Sequence, residues 1–161
     1  MKPMEGIKVV ELSTMLAASM TGRILAEWGA DVIKVESMNG DAWRKQAGTT
    51  MSPCTPEANP NFDMQNLNKR FVGLNMRTTE GREAMMKLLE GADILVTNYR
   101  IQALEGMGLA YKQLRERFPR LIHASVLGDG DKGPDRHRPG YDYTAYFSRS
   151  GLMADLPPAG A

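Results

Sequence analysis

The fold of this chain is predicted by residues 7–36, which read "IKVVELSTMLAASMTGRILAEWGADVIKVE". Residues 7–12 are a short apolar run between a glycine and a Ser-Thr pair, a pattern typical of a buried strand. Residues 17–28 carry apolar side chains at helical spacing, and Gly29 follows where a helix end favours glycine. Residues 31–36 form a second apolar run. Strand, helix and strand in this order predict a βαβ unit with two parallel strands.

The alternation of strands and helices continues through the rest of the chain. Further strands are predicted at residues 69–76, 92–98 and 121–127, and further helices at residues 79–90 and 111–118. We therefore expect an α/β fold with a mainly parallel sheet and flanking helices.

Two segments interrupt this pattern. Residues 37–61 are rich in Gly, Pro, Asn and Thr, so a long irregular loop is predicted there. Loops of this length within a compact domain are usually functional or mobile. Residues 152–161 end in prolines and a glycine, which predicts a C-terminal loop.

Composition and charge exclude several classes of protein. The formal net charge is +1, whereas a nucleic-acid-binding protein usually carries a strong basic bias. One cysteine and two histidines allow neither a disulfide framework nor a Cys/His zinc site. No apolar run is long enough for a membrane span, and residues 1–12 lack the features of a signal peptide. We expect a cytoplasmic protein that binds neither nucleic acid nor membrane.

Common nucleotide and hydrolase motifs fit poorly. "LGDGDKGP", residues 127–134, has GxGxxG spacing after a strand, but Pro139 and Gly140 follow too soon for the required helix. A turn-rich loop near a site is favoured instead. Glu36 ends the second strand as in a dinucleotide-binding domain, yet "STMLAAS" after the first strand lacks the glycines that approach pyrophosphate. No GxSxG motif is present, and His123 reads as a satisfied or surface-facing strand histidine.

Two polar stretches are candidates for ligand contacts. "TNYR", residues 97–100, follows a strand at the sheet edge where ligands collect, and its amide, ring and guanidinium suit a flat, charged ligand. A capped strand end with a surface arginine explains it equally well. "NLNKR", residues 66–70, offers two amides and two cations.

The chain resembles the family III CoA-transferases over nearly its whole length. The resemblance rests on "GIKVVEL", "LAEWGADVIKVES", "NLNKRFVGLNM", "GREAMMKLLEGADILVTNYR", "GLAYKQLRERFPRLIHASVLGDGDKGP" and "PGYDYTAYFSRSG", in this order. Within the family, "TNYR" and "GYDYTAYFSRSG" look most similar to the enzymes that act on 2-hydroxy acids such as phenyllactate or 2-hydroxyisocaproate.

The resemblance implies a fold, a reaction and a partner. The family has a large Rossmann-like domain and a small domain, the latter absent here, in two interlocked chains, so a homodimer is expected of the intact protein. CoA moves from an acyl-CoA donor to a carboxylic acid through an aspartyl anhydride and an enzyme thioester, without a metal. Residues 1–161 would be the N-terminal part of the large CoA-binding domain.

The resemblance also implies a set of CoA-binding residues. Carried over onto this sequence, they are Leu16, Ala17, Ser37, Asn66, Asn68, Lys69, Asn98, Tyr99, Arg100, Leu127, Gly128 and Gly130.

Several of these positions depart from formyl-CoA transferase. That enzyme has Gln at Leu16 and Lys at Leu127, and basic residues at Ser37 and Gly106. CoA phosphates would then depend on other cations, with Arg100 and Lys69 as candidates, and a more apolar acyl pocket would suit aryl or branched groups.

The catalytic aspartate of the family belongs to a "GD" pair beyond the "GYD…G" segment, and no such pair follows Gly151. We expect no catalytic residue in this chain and the nucleophile just beyond residue 161. Two alternatives remain open, a CoA- or nucleotide-binding module without catalysis and a non-enzymatic interaction fragment.

Overall fold

The five strands of this chain form one parallel sheet in the computed structural model, which describes residues 1–45, 54–55 and 57–156. The order is β3-β2-β1-β4-β5, and each neighbouring pair runs parallel, which confirms the predicted α/β fold. The strands are β1 Lys8–Leu12, β2 Asp31–Glu36, β3 Arg70–Gly73, β4 Ile94–Thr97 and β5 Ile122–Ser125.

Helices connect and flank these strands. The helices of the described residues are α1 Ala17–Glu27, α2 Ala42–Lys45, α3 Pro60–Asn66, α4 Thr79–Glu90, α5 Ile101–Met107, α6 Tyr111–Arg117 and α7 Leu152–Asp155, with a π-helical turn at Asp142–Phe147.

Short helices occupy parts of both segments predicted to be irregular. Within 37–61 lie α2 and the start of α3, and α7 lies within 152–161. The helix α3 begins at Pro60 because the Asn59 side chain accepts a hydrogen bond from the Phe62 amide at 3.0 Å. Both α2 and α7 are single turns of four residues, too short to show a helical period in the sequence.

Apolar side chains cover both faces of the sheet, as expected for parallel strands. On one face Leu12 and Leu95 pack with Met85 and Leu89 of α4. On the other face Val9, Val32 and Val96 pack with small residues of α1.

The buried face of α1 differs from the one that its large apolar residues indicate. Ile24 and Trp28 are 41% and 52% exposed, whereas Ala18 and Gly22 are buried. Gly22 lets the helix approach the sheet closely, because a Cβ at this position would overlap the carboxylate of Glu11. The close approach places a polar cluster beneath the start of α1.

Candidate functional site

The sheet order reverses between β1 and β4, so their carboxyl ends form the topological switch point at which open α/β sheets bind ligands. The Asn98 side chain joins these two ends. Its Oδ1 accepts a hydrogen bond from the Thr14 amide at 3.0 Å, and its Nδ2 donates to the Thr14 carbonyl at 2.7 Å. The "TNYR" stretch therefore lies at the switch point and also holds the ends of β1 and β4 together.

A cleft of about 240 Å³ opens at this point. It is formed by the start of α1, the loop after β4, the loop after β5 and the π-helical turn with the residue before it. The lining residues are Ala17, Asn98, Arg100, Val126, Leu127, Gly128, Asp129, Gly130, Arg136, Arg138, Gly140, Tyr141, Ala145 and Tyr146.

Half of the residues carried over as CoA contacts meet in this cleft. Leu16 is the N-terminal cap of α1, beside the cleft, and is 41% exposed. Three stretches far apart in sequence thus converge where the resemblance placed one ligand. The six that line the cleft are Ala17, Asn98, Arg100, Leu127, Gly128 and Gly130.

Three other carried-over residues lie elsewhere. The Ser37 hydroxyl donates to the Gly40 carbonyl at 3.0 Å in the loop after β2. Asn68 is an exposed residue in the left-handed conformation, with φ of 63°. Tyr99 is half-buried against the α4 side of the core, and burial, followed by the nearby Asp41 carboxylate, raises the pKa of its hydroxyl.

Asn66 and Lys69 are buried beneath α1 and do not line the cleft. The Lys69 Nζ donates to the Ser19 carbonyl at 2.7 Å and to the Asn66 Oδ1 at 2.8 Å, and it pairs with the Glu11 Oε2 at 2.8 Å. Burial lowers the pKa of Lys69, although Glu11 opposes this effect. With its ammonium enclosed by three protein oxygens, Lys69 is badly placed to bind a phosphate in the cleft.

A second buried lysine completes this cluster. The Lys34 Nζ pairs with the Glu11 Oε1 at 2.9 Å and the Asp41 Oδ2 at 3.0 Å, and all three side chains are 0% exposed. It also lies 3.0 Å from the hydroxyls of both Ser13 and Ser19. We call Glu11, Lys34, Asp41 and Lys69 the buried ion cluster; its two carboxylates balance its two ammonium groups.

Asp41 connects the buried ion cluster to the turn between β1 and α1. Its Oδ1 accepts hydrogen bonds from the Thr14 hydroxyl at 2.9 Å, the Met15 amide at 3.1 Å and the Trp43 amide at 2.9 Å. Burial raises the pKa of Asp41, but these amides and the Lys34 ammonium outweigh it, so the pKa lies below its usual value. Asp41 is therefore a carboxylate at neutral pH.

Sequence reasoning missed two arginines that join Arg100 in the cleft, Arg136 and Arg138. The Nε of Arg138 pairs with Asp135 at 2.9 Å, and the Nε of Arg136 donates to the His137 Nε2 at 2.9 Å. The signal was the basic run "RHRPG" directly after the glycine-rich loop. Three arginines and one aspartate line the cleft, and with Arg138 paired to Asp135 the cleft still offers Arg100 and Arg136 to phosphate oxygens.

The glycine-rich loop has a role different from that of a dinucleotide fingerprint. No helix begins between Gly128 and Gly140, which are described throughout, so the pyrophosphate-binding helix end is missing. Instead the two glycines allow two chain segments to cross, since a Cβ on Gly128 would overlap the Gly140 Cα. This crossing forms one wall of the cleft.

The side chains of Glu36 and His123 bind other groups of the protein, which indicates a structural role for both. Both Glu36 oxygens bind Arg44 at 2.9 Å, and the Asp41 amide donates to Oε2 at 3.0 Å. The His123 ring nitrogens lie 3.2 Å from the Leu109 carbonyl and the Ser125 hydroxyl, which confirms the interpretation of a satisfied strand histidine.

Within residues 1–45, 54–55 and 57–156, no group of three or more His, Cys, Asp or Glu side chains is arranged to hold a metal ion. No helix among the same residues is long and apolar enough to cross a membrane.

Comparison with known proteins assigns the family. Residues 4–159 match the model of CoA-transferase family III. The chain belongs to this family. It is 48% identical to (R)-2-hydroxy-4-methylpentanoate CoA-transferase of Clostridioides difficile over 98% of its own length and 39% of that protein. It is 43% identical to cinnamoyl-CoA:phenyllactate CoA-transferase of Clostridium sporogenes over 94% of its length and 37% of that protein.

A similar solved structure has the same fold. A CAIB/BAIF family protein from Brucella suis superposes with a TM-score of 0.86 at 35% identity, covering 99% of this chain and 42% of that one. The chain thus spans about two fifths of the length of the relatives it matches.

Proposed function

We propose that this chain supplies the CoA-binding part of a CoA-transferase that moves CoA from an acyl-CoA donor to a carboxylic acid, a 2-hydroxy acid in particular. The observation that carries this proposal is the switch-point cleft, where Ala17, Asn98 and Gly128 from three distant stretches meet three arginines. The 2-hydroxy acid class is supported by the two relatives described above, whose names give (R)-2-hydroxy-4-methylpentanoate and phenyllactate.

The proposed reaction splits one acyl transfer into steps through a carboxylate nucleophile. An aspartate attacks the thioester carbonyl and expels CoA thiolate, which leaves a mixed anhydride. The thiolate then attacks the aspartyl carbonyl, releasing the donor acid and forming an enzyme thioester. The acceptor acid repeats these steps in reverse and leaves as its CoA thioester. Because no "GD" pair follows Gly151 in the sequence, the proposal places this aspartate outside residues 1–161.

The role of this chain in that reaction is to bind and orient CoA. Arg100, Arg136 and Arg138 would bind the phosphates, because guanidinium groups pair with phosphate oxygens in a bidentate manner. The glycine-walled side of the cleft would admit the narrow pantetheine arm, since Gly128 and Gly130 have no side chains to block it.

Calorimetric titration of the chain with CoA, dephospho-CoA and pantetheine tests this proposal. We expect affinity to fall in this order, because each step removes phosphate groups. Arg136→Gln should weaken CoA binding about 10-fold, the worth of one charge-assisted hydrogen bond, and leave pantetheine binding unchanged. Arg117→Gln is the matched control, because Arg117 pairs with Glu90 at 2.8 Å and does not line the cleft.

Two results would contradict the proposal. One is failure of the unaltered chain to bind CoA, and the other is binding of NADH as tightly as CoA, which would favour a general nucleotide-binding module. The acceptor class requires a transfer assay on a polypeptide that contains this chain together with the nucleophile. There, 2-hydroxy-4-methylpentanoate and phenyllactate should be preferred over oxalate and formate, and the opposite preference would refute the 2-hydroxy acid assignment.

A further inference from the structure

The buried ion cluster lies directly beneath the turn that carries the first CoA-binding residues of the cleft. With the backbone included, Glu11 and Lys34 are 0% exposed, Asp41 is 4% exposed and Lys69 is 8% exposed. Apolar residues of similar volume often replace a buried ion pair without loss of stability, so stability alone does not explain four buried charges. What charged groups add is directional hydrogen bonding, which fixes the positions of the atoms they bind.

The atoms fixed in this way belong to the turn between β1 and α1. The Asp41 carboxylate uses one oxygen for Lys34 and the other for the Thr14 hydroxyl and the Met15 amide. Asp41 itself comes from the loop after β2, so these contacts tie two loops together at the carboxyl edge of the sheet.

Met15 has a conformation that needs such support. Its φ is 64°, in the left-handed region that residues with a Cβ rarely adopt. A strained residue of this kind persists where its surroundings hold it in place, and such residues cluster at functional sites. The strained turn leads directly into Leu16 and Ala17, of which Ala17 lines the cleft.

We propose that Asp41 is a positioning residue, which holds the turn at Thr14 and Met15 so that Leu16 and Ala17 contact the pantetheine end of CoA. This inference rests on the proposed function of the cleft. It assigns Asp41 and Lys34 an indirect role, because neither side chain lines the cleft. The phosphate end of CoA depends on the arginines instead, and the Asp41 carboxylate binds none of them.

A change at Asp41 should therefore weaken binding of the pantetheine end of the ligand more than binding of the phosphate end. A merely structural role of Asp41 would weaken both equally. We would titrate the unaltered chain and Asp41→Asn with CoA and with adenosine 3′,5′-bisphosphate, which carries only one end of the ligand. Asp41→Asn should weaken CoA binding about 10-fold, as expected for loss of a hydrogen-bonded charge, and change bisphosphate binding less than about 2-fold. Asp31→Asn is the matched control, because Asp31 pairs with Arg70 on the surface.

A second variant covers the case in which Asp41→Asn does not fold. Thr14→Val removes only the hydroxyl that donates to Asp41. It should weaken CoA binding about 3-fold and leave bisphosphate binding nearly unchanged. Equal weakening of both ligands, or weakening of neither, would overturn the inference.

The amide resonance of Met15 gives a readout that does not depend on the ligand. In Asp41→Asn it should shift strongly, because the amide loses its charged acceptor, while an amide of β5 such as Ala124 should not move. An unmoved Met15 resonance would also overturn the inference. Absence of CoA binding by the unaltered chain would refute the proposed function and with it the role of the turn in CoA binding, whereas the Met15 resonance would still report whether Asp41 holds the turn.

Discussion

Replacing Lys34 by methionine should destabilise this chain far more than replacing a surface cation. The Lys34 ammonium lies 2.9 Å from the Glu11 carboxylate and 3.0 Å from that of Asp41, and all three side chains are fully buried. Methionine fills a similar volume, so little of the effect comes from a cavity. What remains is the Glu11 carboxylate paired with Lys69 and the buried Asp41 carboxylate without the ammonium that it pairs with.

The magnitude follows from breaking a buried ion pair. Removal of one partner costs about 3–5 kcal/mol, because the other charge stays buried without compensation. Domains of this size typically have a free energy of unfolding of about 5–15 kcal/mol, so the variant should lose a large fraction of its stability. At roughly 2–4 °C per kcal/mol, the melting temperature should fall by about 6–20 °C.

Urea unfolding followed by circular dichroism measures this loss. The midpoint of Lys34→Met should fall while the dependence on urea stays unchanged. Arg70→Met is the control, because its ion pair with Asp31 joins side chains that are 63% and 48% exposed and should contribute less than about 1 kcal/mol. A Lys34→Met midpoint equal to that of the control would refute the buried ion cluster.

Two further predictions concern the same region. Gly22→Ala should lower the free energy of unfolding by about 1–3 kcal/mol, because its Cβ would overlap the Glu11 carboxylate. Gly106→Ala in α5 is the control, because a Cβ there would meet open space, and it should be neutral or stabilise by up to about 1 kcal/mol. Equal changes of the urea midpoint in the two variants would contradict this prediction. Acid should also destabilise the chain through Asp41. Because its folded pKa lies below the unfolded value of 3.8, its contribution is complete above that value and is lost as the pH falls through the folded pKa. Urea midpoints at pH 5 and pH 3 should differ more in the unaltered chain than in Asp41→Asn, and an equal difference would argue against this.

The sequence predicts those strands and helices whose apolar residues are regularly spaced and whose ends are marked by glycine or polar residues. The strands and the helices α1, α4 and α6 all occur near their predicted positions because apolar spacing and glycine ends indicate them directly. The helix α5 was missed, since its seven residues bury only Leu104 and include Gly106, a poor helix former. The helix α3 had a usable signal in Asn59 followed by Pro60, a pattern typical of a helix start.

The partners within the buried ion cluster and the position of Arg136 and Arg138 in the cleft could not be predicted from local patterns. Glu11 and Lys34 each lie between two apolar residues of a strand, which reads as an ordinary alternation with one solvated face. In a parallel sheet both faces are covered, so such charges must find partners, but the partner depends on the sheet order. Arg136 and Arg138 reach the cleft only because the loop after β5 crosses back at Gly140.

The central claim, that the switch-point cleft binds CoA, is tested most directly by mapping the amide resonances of the chain on addition of CoA. The account predicts that the resonances of Ala17, Arg100, Gly128 and Gly130 shift with one common dissociation constant, since these residues line a single cleft. The Lys69 amide, beneath α1, should shift little. Shifts confined to other surfaces, or no shifts at saturating CoA, would contradict the account.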